Sequence, residues 1–199
     1  MEIEVNDELK TILNPSKTAV LVWDVQNMLV NNIFNTEAFL TQTNKIVAMA
    51  REKNMPLFFS KISPLPEKFE SSVRKYFWKK RKLNFNQIPN ALELTIEPTE
   101  KDSVISKNTA SIFIGTNFEQ IMHNVGITTI VFVGIATEIG IESSARDALN
   151  RGFFPIIITD AVSSMNKDAH LRSLENLKNM MILLSTDDYI SILQDSAKE

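Results

Sequence analysis

Polar groups follow apolar runs at three places along the chain. Asp24 follows the run 18–23, Lys107 follows 103–106, and the loop Gly134–Gly140 joins a further apolar run to the predicted start of a helix. If these runs are parallel strands, their carboxyl ends meet at one edge of the sheet, where open α/β sheets bind ligands. We therefore expect Asp24, Lys107 and the N–H groups of this loop to converge.

An aspartate and a lysine beside the start of a helix could carry out proton transfer. The carboxylate can relay a proton, the ammonium can tune its charge, and free N–H groups can bind developing negative charge. Taken singly, each residue also has a structural interpretation, since an aspartate at a strand end commonly caps a turn and a lysine is commonly solvated. Asp24 and Lys107 are thus candidate catalytic residues, with that alternative open.

The elements that would position these groups alternate along the chain. Apolar runs predict strands at 18–23, 57–59, 103–106, 130–133, 155–159 and 181–184. Apolar residues at helical spacing, ended by glycine or by a turn before proline, predict helices over 36–53, 117–124, 138–151 and 167–179. Strands that alternate with helices predict an α/β fold with a parallel sheet covered on both faces.

Between residues 63 and 101 this alternation stops. Prolines interrupt the segment, and basic residues surround three aromatic ones over 74–82. We interpret 63–101 as an insertion near the site, within one domain that spans residues 1–199. The basic stretch could supply groups for an anionic ligand, or it could be an ordinary solvated helix face.

Composition excludes several classes of function. A net charge of -3 and a pI near 5.5 argue against a nucleic-acid partner, which would call for a basic excess. The chain contains no cysteine, which excludes disulfides and thiol nucleophiles, and its two histidines, His123 and His170, lie far apart, so we expect no metal and no cofactor. No run is long enough to span a membrane and no secretory signal begins the chain, so we expect a cytoplasmic protein.

Four motifs resemble the isochorismatase-like superfamily, also called the cysteine hydrolases, in order and spacing. They are Val-Leu-Val-Trp-Asp-Val-Gln-Asn (20–27), Val-Ile-Ser-Lys-Asn-Thr-Ala-Ser-Ile-Phe (104–113), Val-Gly-Ile-Ala-Thr-Glu-Ile-Gly-Ile-Glu-Ser-Ser-Ala-Arg-Asp-Ala (133–148) and Asp-Ala-Val-Ser-Ser (160–164). The resemblance covers nearly the whole chain. It is specific because the motifs occur together.

The resemblance implies a three-layer α/β/α, Rossmann-like domain with a six-stranded parallel sheet, usually assembled as a homodimer or larger homo-oligomer. It implies that Asp24 is the catalytic aspartate and Lys107 its lysine partner. It also implies a cis peptide between Ile135 and Ala136, which would turn the Ala136 and Gly140 N–H groups toward the substrate as an oxyanion hole.

Gly140 occupies the position at which most of the superfamily has its catalytic cysteine, so covalent thiol catalysis is impossible here. Ser143 and Ser144 lie further along the predicted helix, and we interpret them as structural. Isochorismatases resemble this sequence in having glycine there, because hydrolysis of their vinyl ether needs no protein nucleophile. By that resemblance Asp24 would be a general acid whose acidic form is stabilised by a dry pocket.

The predicted activity is therefore hydrolysis of a small anionic molecule, with isochorismate as the type of substrate. The competing hypothesis is a non-enzymatic homologue that binds a small ligand or is purely structural. The predicted substrate-binding residues are Gln26, Phe34, Phe113 and Thr137, with a loop-ordering hydrogen bond as the alternative for Gln26. Core packing explains Trp23 better than a pocket wall. Arg146 and Asp147 are expected to form a structural ion pair or a subunit contact.

Overall fold

Apolar runs in the sequence form a six-stranded sheet in which every strand is parallel to its neighbours. The structure, a computed structural model, describes residues 2–80 and 90–195. The strands are β1 Thr18–Trp23, β2 Leu57–Ile62, β3 Ser103–Lys107, β4 Thr129–Ile135, β5 Phe154–Ser163 and β6 Ile182–Leu184. Their order in the sheet is β3-β2-β1-β4-β5-β6, with β1 and β4 at the centre.

Helices cover both faces of the sheet. They are α1 Glu2–Ile12, α2 Asn27–Val30, α3 Thr36–Glu52, α4 Ser72–Lys80, α5 Phe118–Asn124, α6 Glu142–Asn150, α7 Lys167–Leu177 and α8 Thr186–Asp195. A π-helical turn, Thr137–Ile141, leads into α6, so the predicted helix over 138–151 is in fact two segments. Helices α1 and α8 lie outside the segments for which the sequence predicted helix.

The alternation of side chains along β1 divides the core into two layers. Val20 and Val22 point to the layer that contains α3 and α8 residues, whereas Leu21 and Trp23 point to the layer that contains α5 and α6 residues. Every residue of β1 is buried, as expected for a central parallel strand. The predicted three-layer α/β/α fold with a six-stranded parallel sheet is confirmed.

The pairing of β1 with its two neighbouring strands places the candidate site. Helix α3 ends where Asn54 adopts a positive φ of 53° ahead of Pro56, and the chain then enters β2 beside β1. On the other side of β1, β4 runs in register with it, so that Trp23 pairs with Gly134. Asp24 therefore emerges between the ends of β2 and β4.

Candidate active site

Asp24 lies in a sharp turn directly after β1. Its φ is 49°, a left-handed conformation that is uncommon for a residue other than glycine and that recurs at functional sites. Its N–H donates to the carbonyl oxygen of Ser60 at 3.1 Å, and the Ser60 hydroxyl donates to its Oδ1 at 2.7 Å. Only 3% of Asp24 is exposed. One carboxylate oxygen is thus fixed by the neighbouring strand.

Lys107 reaches the other oxygen of Asp24 from two strands away. It is the last residue of β3 and pairs with Ile62 of β2, and its Nζ lies 2.6 Å from Asp24 Oδ2. The side chains of Lys107 and Asp24 are 1% and 4% exposed. The same Nζ lies 3.7 Å from the centroid of the Trp23 ring, a cation–π contact. The ammonium is therefore held between a carboxylate and an aromatic ring.

Burial shifts the pKa values of both partners toward their neutral forms. Removal from water raises the pKa of the Asp24 carboxyl above its ordinary value of 3.8, although the charge and hydrogen bond of Lys107 act against this. Burial likewise lowers the pKa of the Lys107 ammonium, and the nearby positive charge of Arg74 lowers it further. Burial therefore disfavours the charged form of each partner, while the contact between them favours it.

The loop after β4 brings backbone N–H groups to the same edge. The peptide bond between Ile135 and Ala136 is cis. The Gly140 N–H donates to the Ala136 carbonyl oxygen at 3.1 Å, so it is occupied within the helical turn. Of the two N–H groups expected in an oxyanion hole, that of Gly140 is therefore already engaged within the turn.

Two glycines allow this loop to lie against Trp23. A Cβ at Gly134, whose φ is 126°, would lie 2.1 Å from the Trp23 carbonyl oxygen, so the close approach of β4 to the end of β1 requires glycine. A Cβ at Gly140 would lie 2.0 Å from Nε1 and 2.2 Å from Cε2 of the Trp23 indole. The ring therefore occupies the space into which a side chain at position 140 would project.

A cavity of about 420 Å³ opens beside these groups. Trp23, Asp24 and Lys107 line its inner end, which we call the floor, and the loop after β4 contributes Ile135, Ala136 and Gly140. Helix α4 provides the opposite wall through Val73, Arg74, Phe77 and Trp78. The segment over 63–101 thus contributes to the cavity through α4, while Arg81 and Lys82 of the basic stretch lie outside the described residues.

Arg74 is the second cationic group on the cavity. Its Nε lies 3.1 Å from Glu70 Oε1, and its guanidinium carbon lies 5.4 Å from the centroid of the Trp78 ring. Its side chain is 18% exposed. Among the described residues, Glu70 and Trp78 are the side chains that orient the guanidinium, which carries five N–H donors in total and so suits an anionic ligand.

Comparison with known proteins identifies the family. The sequence matches the Isochorismatase domain family model over residues 18–188. The chain belongs to the isochorismatase family of hydrolases. This membership agrees with the resemblance carried by the four motifs.

Relatives match this isochorismatase-family chain over most of their length. An uncharacterized isochorismatase family protein of Escherichia coli O157:H7 is 29% identical over 172 residues, which cover 83% of this chain and 89% of the relative. A ureidoacrylate amidohydrolase of Pseudomonas savastanoi is 25% identical over 203 residues, with coverage of 88% and 83%. The structure of a cysteine hydrolase from Pseudomonas syringae superposes with a TM-score of 0.83 at 18% identity, covering 92% of this chain and 95% of that one.

The four residues predicted to bind substrate are not among those that line the cavity of this isochorismatase-family chain. Gln26 is fully buried; its amide nitrogen donates to Leu92 O at 2.8 Å and its Oε1 accepts from Ile62 N at 2.8 Å. These bonds fit the alternative interpretation, in which Gln26 orders the loop after β1. The expectation that Gln26 touches the ligand stays a prediction, and its polar atoms are engaged by backbone in this structure.

The other three predicted ligand contacts also stay predictions, and the structure shows which residues these side chains contact. Thr137 is buried and its hydroxyl lies 2.8 Å from His170 Nδ1. Phe34 packs edge-on against the His170 ring. Phe113 packs against Phe118 within the core. Their place in the motifs indicated proximity to the site, and the contacts described for their side chains are with residues that do not line the cavity.

Residues of α6 that recur in the motif are architectural. The Ser144 hydroxyl is buried and accepts from the Ile112 N–H at 3.2 Å. Arg146 pairs with Glu142 at 2.8 Å, and Asp147 pairs with Arg151 at 3.2 Å. These contacts agree with the structural roles expected for Ser144, Arg146 and Asp147.

Sequence reasoning missed Ser60 and the aromatic wall of the cavity. Ser60 lies within an apolar strand, where a small serine side chain gives no indication of a catalytic role. Its pairing with Trp23 in the sheet nevertheless places it beside Asp24. A polar residue inside a buried strand adjacent to β1 was the available signal. Phe77 and Trp78 carried no periodic signal that distinguished the cavity face of α4 from its solvent face.

The described residues contain no cluster of three or more histidine, cysteine, aspartate or glutamate side chains that could hold a metal ion. Within the same part of the chain, none of the helices has the length and apolar character needed to cross a bilayer.

Proposed function

We propose that this protein hydrolyses the vinyl ether of a small carboxylate, of which isochorismate is the type, with Asp24 as general acid and no protein nucleophile. One observation carries this proposal. Asp24 is the only carboxylic acid among the described residues that line the cavity, and burial raises its pKa. A carboxyl group that retains its proton beside a bound substrate is suited to donate that proton.

The reaction balances with water as the only co-substrate. Asp24 transfers its proton to the terminal vinyl carbon, which leaves an oxygen-stabilised cation at the neighbouring carbon. Water adds to that carbon and returns a proton to the Asp24 carboxylate, giving a hemiketal. Collapse of the hemiketal breaks the bond to the ether oxygen, which leaves as an alcohol, and releases pyruvate.

The charges around the cavity support an anionic substrate. Arg74 and Lys107 both line the cavity, so basic side chains are present to bind a carboxylate and offset its negative charge. Ala136 also lines the cavity, where its backbone would lie beside the bound substrate. Ile62, Ile139 and Met165 supply apolar lining that keeps Asp24 out of water.

The hydroxyl groups on the cavity do not offer a substitute nucleophile. The Ser71 hydroxyl accepts from the Arg74 N–H at 3.1 Å at the start of α4. The Thr109 hydroxyl lies 2.9 Å from the carbonyl oxygen of Ser111. Among their described contacts, neither hydroxyl is hydrogen-bonded to a side-chain base, which an activated serine or threonine would need.

The test is release of pyruvate from isochorismate, compared between the wild-type protein and Asp24→Asn. The matched control is Asp187→Asn, which removes a carboxylate that is 88% exposed and remote from the cavity. We expect pyruvate release from the wild type and from the control, and its loss in Asp24→Asn. A full rate in Asp24→Asn would eliminate the assignment. Thermal stabilisation by carboxylates without any turnover would indicate a binding protein instead.

The homo-oligomer implied by the family resemblance stays a prediction, which light scattering on the purified protein would check.

A further inference from the structure

The edge of the Trp23 indole fills the space next to Gly140. A Cβ built on Gly140 would lie 2.0 Å from Nε1, 2.2 Å from Cε2 and 2.6 Å from Cζ2 of that ring. All three distances are far below the contact distance of carbon atoms, which is about 3.5 to 4.0 Å. A side chain at position 140 and the present position of the Trp23 ring are therefore mutually exclusive.

The surroundings of the ring hold it in this position. Trp23 is only 2% exposed and packs in the core layer with Phe132 and Ile141. Gly134 lies directly against the Trp23 backbone, because a Cβ at Gly134 would collide with the Trp23 carbonyl oxygen. The Lys107 ammonium lies over the ring at 3.7 Å. Displacing the indole would disturb packing, the cation–π contact and the partner of Asp24 together.

We propose that Trp23 is the specificity-determining residue of this cavity: its indole replaces a side chain at position 140, excludes a nucleophile from that position and sets the depth of the floor beside Asp24. The exclusion follows from the geometry of Trp23 and Gly140 alone. A shallow floor would favour compact carboxylates over larger ones as ligands, and this part of the proposal rests on the proposed function.

The exclusion predicts that substitutions at positions 23 and 140 are strongly coupled. In Gly140→Cys the new side chain and the indole compete for one space, so the protein loses thermal stability or buries the thiol in a distorted site. In Trp23→Leu the smaller side chain leaves room, so adding Gly140→Cys costs little further stability. Leucine is chosen because it keeps an apolar side chain in the core.

The absence of cysteine from the chain makes the new thiol the only one present. We would measure alkylation by iodoacetamide and the thermal midpoint for Gly140→Cys and for Trp23→Leu/Gly140→Cys. We expect the double variant to react about tenfold faster or more, because its thiol opens to the cavity beside the Lys107 ammonium. We also expect it to melt at a higher temperature than Gly140→Cys.

Two controls separate this effect from general loosening. Ala110→Cys places a thiol at an exposed position on the cavity and reports ordinary reactivity there. Trp78→Leu/Gly140→Cys removes the other tryptophan of the cavity, which lies on α4, and should react as slowly as Gly140→Cys. Equal stability and equal reactivity of Gly140→Cys and Trp23→Leu/Gly140→Cys would overturn the proposal. So would failure of the double variant to fold when Trp23→Leu alone folds.

The specificity part is tested by ligand-induced thermal shifts. In Trp23→Leu the floor becomes deeper, so we expect the rise in thermal midpoint with 2-naphthoate to increase relative to the rise with benzoate. In Trp78→Leu we expect the rises with the two ligands to change by the same amount. An unchanged preference in Trp23→Leu would overturn this part. Because neither alkylation nor the thermal shifts require turnover, failure of pyruvate release would refute the proposed function and leave the role of Trp23 standing.

Discussion

Lys107 reaches across β2 to place its Nζ 2.6 Å from Asp24 Oδ2, and both side chains are almost inaccessible to water. A buried ion pair is a poor source of stability, because removing two charges from water offsets their attraction. Ser60 donates a hydrogen bond to the second carboxylate oxygen of Asp24. Even so, Asp24 and Lys107 remain two ionisable groups that line a mostly apolar cavity. Its position at the floor points to a chemical role.

Removing both members of the pair should cost less stability than removing one. Asp24→Asn or Lys107→Met leaves a buried group without its partner and should lower the free energy of unfolding by about 3 kcal/mol. The double variant should recover most of this loss, although it is inactive. Urea denaturation of the four proteins measures the coupling. Additive losses in the double variant would show that the pair does not act as a unit.

The pair should also make stability depend on pH in a defined way. The contribution of Asp24, whose pKa is raised, is complete below its unfolded value of 3.8 and is lost as pH rises through the folded pKa. The contribution of Lys107, whose pKa is lowered, is complete above 10.5 and is lost as pH falls through its folded pKa. The double variant should therefore show a flatter pH dependence of unfolding near neutrality than the wild type.

The activity should fall on the alkaline side. A general acid must carry its proton, so kcat/KM should be constant at low pH and should decline as pH rises through the raised pKa of Asp24. Lys107→Met removes the charge that opposes this elevation, so the decline in any remaining activity should move to higher pH. A rate that declines toward acid pH instead would mean that Asp24 acts as a base.

Ser60→Ala tests the residue that sequence reasoning overlooked. Loss of the hydrogen bond to Asp24 Oδ1 should raise the pKa of Asp24, because that bond favours the ionised form. The alkaline decline in kcat/KM should shift upward, and stability should fall by about 1 kcal/mol. Ser106→Ala, at an exposed serine on β3, is the control. Identical profiles for the two variants would remove Ser60 from the site.

Arg74→Gln should weaken binding of anionic substrates. Loss of a hydrogen bond from a charged donor corresponds to a rise in KM of about 10- to 100-fold, with a smaller effect on kcat. Lys75→Gln removes a positive charge from the adjacent residue of α4, which does not line the cavity. Steady-state kinetics with both variants separates a contact from a general electrostatic effect. Equal changes in KM would favour the latter.

Gln26→Leu should reduce stability and leave KM unchanged. The variant loses the hydrogen bond that the Gln26 amide nitrogen donates to Leu92 O and the one that Gln26 Oε1 accepts from Ile62 N. This loss should lower the free energy of unfolding by about 2 to 3 kcal/mol and the thermal midpoint by about 4 to 10 °C. Gln120→Leu, at an exposed glutamine, should have little effect. A rise in KM without loss of stability would return Gln26 to the ligand site.

Groups fixed by the backbone path were predictable from the sequence. Apolar runs that end in Asp24 and Lys107 place both residues at the carboxyl edge once the strands are parallel, because the sheet geometry brings strand ends together. The neighbouring Ser60 also follows from register, but register requires knowing that β2 lies beside β1. The fold and the polar floor therefore depend on patterns that are local in the sequence.

Contacts that depend on side-chain direction were not predictable in this way. Phe34, Phe113 and Thr137 occur in or near the motifs, yet their side chains contact His170 and Phe118, which do not line the cavity. Trp23 was expected to serve core packing, and it does so while its ring edge also fills the space beside Gly140. That contact joins residues far apart in sequence, and no single-residue propensity encodes it.

The contact between Trp23 and Gly140 constrains the order in which descendants of this protein could acquire a side chain at position 140. A change at position 140 alone meets the indole, whereas a smaller residue at position 23 opens the space first. Lineages with a side chain at position 140 should therefore have a smaller residue, or a differently placed ring, at position 23. The two positions should be inherited as a pair.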